Sequence, residues 1–199
     1  MNIAILGWGS LIWDLEILAP HVEGDWQMAT GPRLPMEFSR ISPKRKMGLV
    51  VCLDPEAGVA CETHVIRSVR VDIHAAVDDL AARERAPLAR IGAWHNSGIA
   101  QGRMPTVVGQ VEKWCGAHGW AGAVWTDLEP NFHAYTERAF DVDAAVAYLK
   151  TLDGENLSEA VNYIDSAPAQ TRTPLREALK GDVWWQRTLQ EQADNNRNT

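Results

Sequence analysis

The run Ile3-Ala4-Ile5-Leu6 stops at Gly7-Trp8-Gly9-Ser10 and resumes as Leu11-Ile12-Trp13. Successive β-branched and aliphatic residues read as a buried strand, and the two glycines end it in a tight turn. A turn in that position leaves backbone N–H groups outside the sheet ladder, where they can hold an anion or a carbonyl oxygen. Glycines at 7 and 9 also let another molecule approach the backbone with no Cβ in the way. The pattern of a nucleotide-binding helix does not follow, so the loop points to a small polar group rather than to a dinucleotide.

Length and charge narrow the class. A chain of 199 residues fits one ordinary domain with a sizeable core, here taken as 1–199 with residues 141–190 as a helical C-terminal extension. A net charge of -7, with no basic block longer than Lys44-Arg45-Lys46, argues against nucleic acid and favours a small-molecule ligand. Three cysteines (Cys52, Cys61, Cys115) are an odd number in a chain that needs no staples, which predicts a reducing cytoplasm. The apolar N-terminus lacks a basic leader and is interrupted by Gly7, Gly9 and Asp14, so neither a signal peptide nor a membrane span is expected.

The pattern predicts an α+β fold. Strands are expected over Asn2–Leu6, Met36–Ile41, Gly48–Leu53 and Val59–Ser68, with Asp54 to Gly58 as the hairpin turn between the last two. An amphipathic helix is expected over Val71–Arg85 from the spacing of Ile73, Val77 and Leu80, ended by Pro87. Gly92–Gly102 reads as a glycine-rich loop, Thr106–Val111 and Ala121–Thr126 as strands, and Gly116–Gly119 as their connection. Helices follow over Asp141–Thr151 and from Thr173-Pro174 to about Lys180, with Asp194–Thr199 as a frayed end.

Glu84 is the anomalous acid. It stands eleven residues after Ile73, which at about 100° per residue returns it to within roughly 20° of the apolar stripe. Asp78 and Asp79 project elsewhere and read as a solvated face. A carboxylate on a core-facing stripe loses hydration, which favours the neutral acid and suits general acid/base work. The alternative is a surface pair with Arg83, Arg85 or a nearby arginine. Two Cys-x-x-His pairs, Cys61/His64 and Cys115/His118, match a zinc set arithmetically, but residues three apart on a strand face opposite ways, so metal is not expected. Trp94, His95, Asn96 and Asp127 lie in loops or at strand ends and receive no role.

Gly7-Trp8-Gly9-Ser10-Leu11-Ile12-Trp13 resembles the Gly-Tyr-Gly-Ser-Leu-Ile-Trp signature of the γ-glutamyl cyclotransferase-like superfamily, in particular its ChaC-like branch, with Trp8 for the tyrosine. Leu80-Ala81-Ala82-Arg83-Glu84 is similar to the family's Leu-Asp-x-x-Glu segment, with Ala81 for the aspartate, and Glu84 follows Gly9 by the family's usual interval. Phe38-Ser39-Arg40-Ile41-Ser42 with Arg45-Lys46-Met47-Gly48 is similar to a further strand of that branch. The resemblance implies a small, mostly antiparallel β-barrel with flanking helices and a helical tail. It also implies release of 5-oxoproline from a γ-glutamyl amine, amino acid or peptide without cofactor or metal. Glu84 would be the general acid/base, Gly7, Trp8, Gly9, Ser10 and Leu11 the oxyanion and substrate cradle, and Arg40 a ligand for the α-carboxylate. The alternatives are an amidohydrolase or acyl transferase on the same barrel, or a non-catalytic small-molecule-binding module.

Overall fold

A computed structural model describes residues 2–197, with helices and two mixed or antiparallel sheets that make the chain α+β. It divides into two compact units, one of residues up to Pro35 with Ala60–Leu128, the other of Met36–Val59 with the residues from Glu129 on. None of the described helices is long and apolar enough to cross a membrane.

The first unit is built on a six-stranded sheet in the order β2-β6-β1-β9-β7-β8. Its strands are β1 (Ile3–Gly7), β2 (Val22–Gln27), β6 (His64–Ser68), β7 (Ile91–His95), β8 (Ile99–Gln101) and β9 (Gly122–Thr126). β1 runs antiparallel to β6, with Gly7 opposite His64, and parallel to β9, with Leu6 opposite Trp125. A central strand covered on both faces needs the uninterrupted apolar run seen at its position, and all five of its residues are buried. Ile3 and Ile5 turn one way, into a core with Ile73, Val77 and Leu80 of α1 (Ile73–Glu84). Trp125 turns the other way, where its ring meets Gly102 beside Val108 of α2 (Pro105–His118). Asp72 caps α1 by accepting the His74 N–H, and Arg85 ends it in the left-handed conformation at φ 53°. The pairings of this sheet are otherwise antiparallel, and among the described residues none joins β2 to β8.

Several sequence expectations are corrected here. Thr106–Val111 is not a strand but the start of α2: Pro105 sits at its first turn, and Val107, Val111, Trp114 and Cys115 are its buried stripe. Helical burial overrides the β-branched propensity of the segment. Gly116–Gly119 is the end of that helix, with Gly119 at φ 72°. Gly92–Gly102 is the β7–β8 hairpin rather than a loop, because Gly92 lies under the Trp125 ring and leaves it room. Val59–Ser68 is two strands, β5 (Val59–Glu62) and β6, separated at Thr63, which donates its hydroxyl to Pro32 O and accepts the Gly31 N–H.

β3 (Arg33–Ser42) and β4 (Gly48–Leu53) pair antiparallel, with Arg40 opposite Val50. Asp54 to Gly58 turns the chain, with Asp54 Oδ1 accepting the Glu56 and Ala57 amides at 2.8 and 2.9 Å. It does not close a β4–β5 hairpin, because the strand order is β4-β3-β5. The second unit adds α3 (Phe132–Thr136), α4 (Val142–Leu149), α5 (Gly154–Ser166), α6 (Pro174–Gly181) and α7 (Val183–Arg197). Thus the helices of 141–190 belong with the β3–β4 ribbon. α5 lies within the helical extension expected over 141–190, although its own bounds were not read from the sequence. It packs on β4 with Ala160 close against Gly48, and its Tyr163 makes an edge contact with Phe38. The expected frayed end is helical from Asp194 to Arg197, while Asn198 and Thr199 lie outside the described residues.

Glu37 is wholly buried in the second unit, where its carboxylate accepts the amides of Phe38 at 2.6 Å and Leu175 at 3.1 Å and so caps α6 from inside. Burial pushes its carboxyl above the ordinary 4.5 and the neighbouring Asp54 charge adds to this, against the lowering effect of Thr173 and the two amides. A carboxyl that holds its proton more tightly folded than unfolded stabilises the fold at acid pH, and that contribution is lost as pH rises through the folded value. Urea midpoints of the wild type are therefore expected to fall from pH 4.5 upward more steeply than those of Glu37→Gln. Parallel pH profiles would disprove this role.

Candidate active site

The loop after β1 closes as a 3-10 turn over Ser10–Ile12, in which the Ile12 amide donates to Gly9 O and the Asp14 amide to Ser10 O, both at 2.9 Å. The first amides of such a turn have no acceptor inside it, which leaves the Ser10 and Leu11 N–H groups at its start. Gly7 and Gly9 are buried, and a Cβ at Gly7 would stand 2.6 Å from the Trp26 ring and 3.0 Å from Ile12. Gly7 is thus required for the packing of Trp26 and Ile12. Trp8 and Leu11 are buried, Leu11 in the α1 core, and Ser10 is half-buried.

His64, weighed in the sequence only as half of a Cys-x-x-His pair, stands opposite Gly7 on β6 and adds a donor there. Its Nδ1 accepts the Ala29 amide at 2.8 Å, so the ring proton belongs on Nε2, which is buried and has no partner. Burial pushes the imidazole below its usual value, against the charge of Glu62, which keeps the ring neutral at ordinary pH.

Glu84 closes the last turn of α1, and its side chain retains 15% of its exposure. Its Oε1 accepts from Arg83 Nη1 at 2.7 Å. The arginine partner was one of the sequence alternatives, but the pair is not at the surface, since the Arg83 side chain is only 2% exposed. Arg83 Nη2 donates to Asp14 O at 2.6 Å and reaches Ser10 Oγ at 3.4 Å, while its Nε has no partner. One guanidinium therefore spans the acid of α1 and the loop of β1. Arg85, one residue on, is exposed and pairs instead with Glu16 at 3.2 Å.

No family model matches the chain, and neither a curated protein nor a solved structure matches it.

Arg40 belongs to the second unit, where its Nη1 donates to Glu129 O at 2.6 Å, whereas Gly7 to Leu11 and Glu84 belong to the first. Cys61 is on β5 and His64 on β6, while Cys115 and His118 are on α2, where His118 stacks on Trp114. The Cys115 thiol is pushed up to about 12 by burial. Among the described residues, three or more histidine, cysteine or acidic side chains nowhere converge to hold a metal. Asp127, buried beyond β9, accepts the Arg103 amide, and Trp94 and His95 belong to β7. Sequence reasoning named Arg83 only as a surface partner for Glu84 and missed its burial and its reach to Asp14 and Ser10. The signal of that burial was available, since Arg83 follows Ala76 by two helical turns and shares that buried meridian.

Proposed function

We propose that the chain is a γ-glutamyl cyclotransferase-type enzyme on the barrel-like fold that its resemblance implies, acting in the cytosol on a small γ-glutamyl substrate without a cofactor. The observation that carries this reading is the link through Arg83, which ties Glu84 to Ser10 across a long sequence separation. Glu84, held beside the Arg83 guanidinium, is the group that accepts a proton. It takes one from the substrate α-ammonium, and the freed amine attacks the γ-carbonyl carbon of the same molecule. The amides that open the 3-10 turn receive the developing oxyanion. Glu84 then returns the proton to the leaving nitrogen as the carbon–nitrogen bond breaks, and the ring nitrogen gives up its second proton to solvent, giving 5-oxoproline and a free amine.

The same ion pair favours a second reading, a binding module in which Glu84 is structural. Incubation with γ-glutamyl amines, γ-glutamyl amino acids and glutathione, followed by mass spectrometry, separates the two. Appearance of 5-oxoproline supports cyclotransfer, glutamate in its place indicates an amidohydrolase, and saturable binding without either product indicates a module. Ser10→Ala removes only a long contact to Arg83 and is expected to lower kcat/KM by about tenfold or less. A dead but folded Ser10→Ala protein would move the chemistry to the hydroxyl.

A further inference from the structure

Arg83 carries a full charge at 2% exposure, yet its hydrogen bonding is incomplete. Glu84, as the adjacent residue, meets it through one nitrogen only, Nη1 at 2.7 Å, rather than through the two parallel bonds that guanidinium and carboxylate prefer. Nε is buried and has no hydrogen-bond partner. The other acids nearby are committed elsewhere: Asp14 offers Arg83 its carbonyl while its carboxylate accepts the Glu16 amide, and Glu16 pairs with Arg85. Glu84 is therefore the one carboxylate that Arg83 meets among the described ion pairs, and Glu84 is also the more exposed partner.

We propose that Arg83 is the carboxylate-binding residue of this site and that a ligand carboxylate exchanges with Glu84 on the guanidinium. The incoming group engages Nε together with an Nη, and Glu84, displaced, turns to the ligand. The ligand class is a small molecule whose carboxylate lies one carbon from its nitrogen, as in a γ-glutamyl head. The part given to Glu84 rests on the cyclotransferase reading, whereas the carboxylate site of Arg83 does not. Exchange also resolves the tension in the ion pair, because the group that must act as base is released by the substrate it acts on. Arg83 is a binding and positioning residue here, not the base.

Isothermal titration with 5-oxoproline and its neutral carboxamide tests this on the full chain. The wild type is expected to prefer the carboxylate by about tenfold or more, the scale of one charge-assisted pair. Arg83→Gln is expected to bring that ratio to about one, and Arg83→Lys to keep part of it, since an ammonium retains the charge but not the fork. Glu84→Gln, which removes the competing charge, is expected to bind 5-oxoproline several-fold more tightly than the wild type does. Equal affinity for acid and amide in the wild type, binding of neither, or no tightening in Glu84→Gln would each overturn the proposal. If Arg83→Gln does not fold, Arg83→Lys and Glu84→Gln decide it. A retained preference for the acid with no 5-oxoproline formed from any γ-glutamyl substrate would sink the proposed reaction and leave the carboxylate site standing.

Discussion

Glu84→Gln is expected to lower turnover by about 10² to 10⁴-fold, or about 3 to 5 kcal/mol of barrier, the usual cost of losing a general base. The amide has the carboxylate's size and keeps an oxygen for the Arg83 Nη1 hydrogen, which now spans 2.7 Å. It cannot take up the ammonium proton. The loss is therefore expected in kcat, with the melting temperature within a few degrees of wild type, because the buried guanidinium keeps an acceptor. Steady-state kinetics on any γ-glutamyl substrate that the wild type converts, beside a melting curve, makes the measurement. Wild-type turnover in the folded variant would remove Glu84 from the mechanism.

Gly92→Ala is expected to cost about 3 kcal/mol of stability, at the upper end for overpacking a core. A Cβ there would lie 2.0 Å from Trp125 Cε2 and 2.2 Å from its Nε1, and Trp125 is wholly buried. The ring has little room to retreat: a Cβ at Gly102 would already be 3.2 Å from its Cζ2 and 2.7 Å from Val108. Urea denaturation measures the loss, and the double variant Gly92→Ala/Trp125→Leu is expected to lose less than the two single changes added together, since one clash is shared. Additive losses, or a Gly92→Ala protein as stable as wild type, would show that the ring does not pack on this glycine.

These two positions differ in how they could be read. Glu84 was legible because a carboxylate recurring on the stripe of Ile73, Val77 and Leu80 violates the pattern of its own helix, and a helix reports its faces at short range. Gly92 was not, because the reason for a glycine there is Trp125, a residue on another strand. The stretch Gly92–Gly102 accordingly reads as a loop while it folds as a hairpin. Thr106–Val111 misled in the opposite direction: its valines favour strand locally, and only the core beneath Val107 and Val111 selects the helix.

By itself the sequence determined the buried central strand, the glycine turn that ends it, the amphipathic helix with its out-of-place acid, and the start of α6 at Thr173-Pro174, all of them features that operate within a few residues. The tertiary structure alone decided that Arg83 is buried and reaches Ser10 and Asp14 as well as Glu84, that His64 aligns with Gly7, and that β5 lies beyond β3 instead of beside β4. The physical reason is range. Periodicity and turn chemistry are set by neighbours along the chain, whereas the partner of a buried charge or a glycine is set by whichever distant segment the packing of the core brings against it.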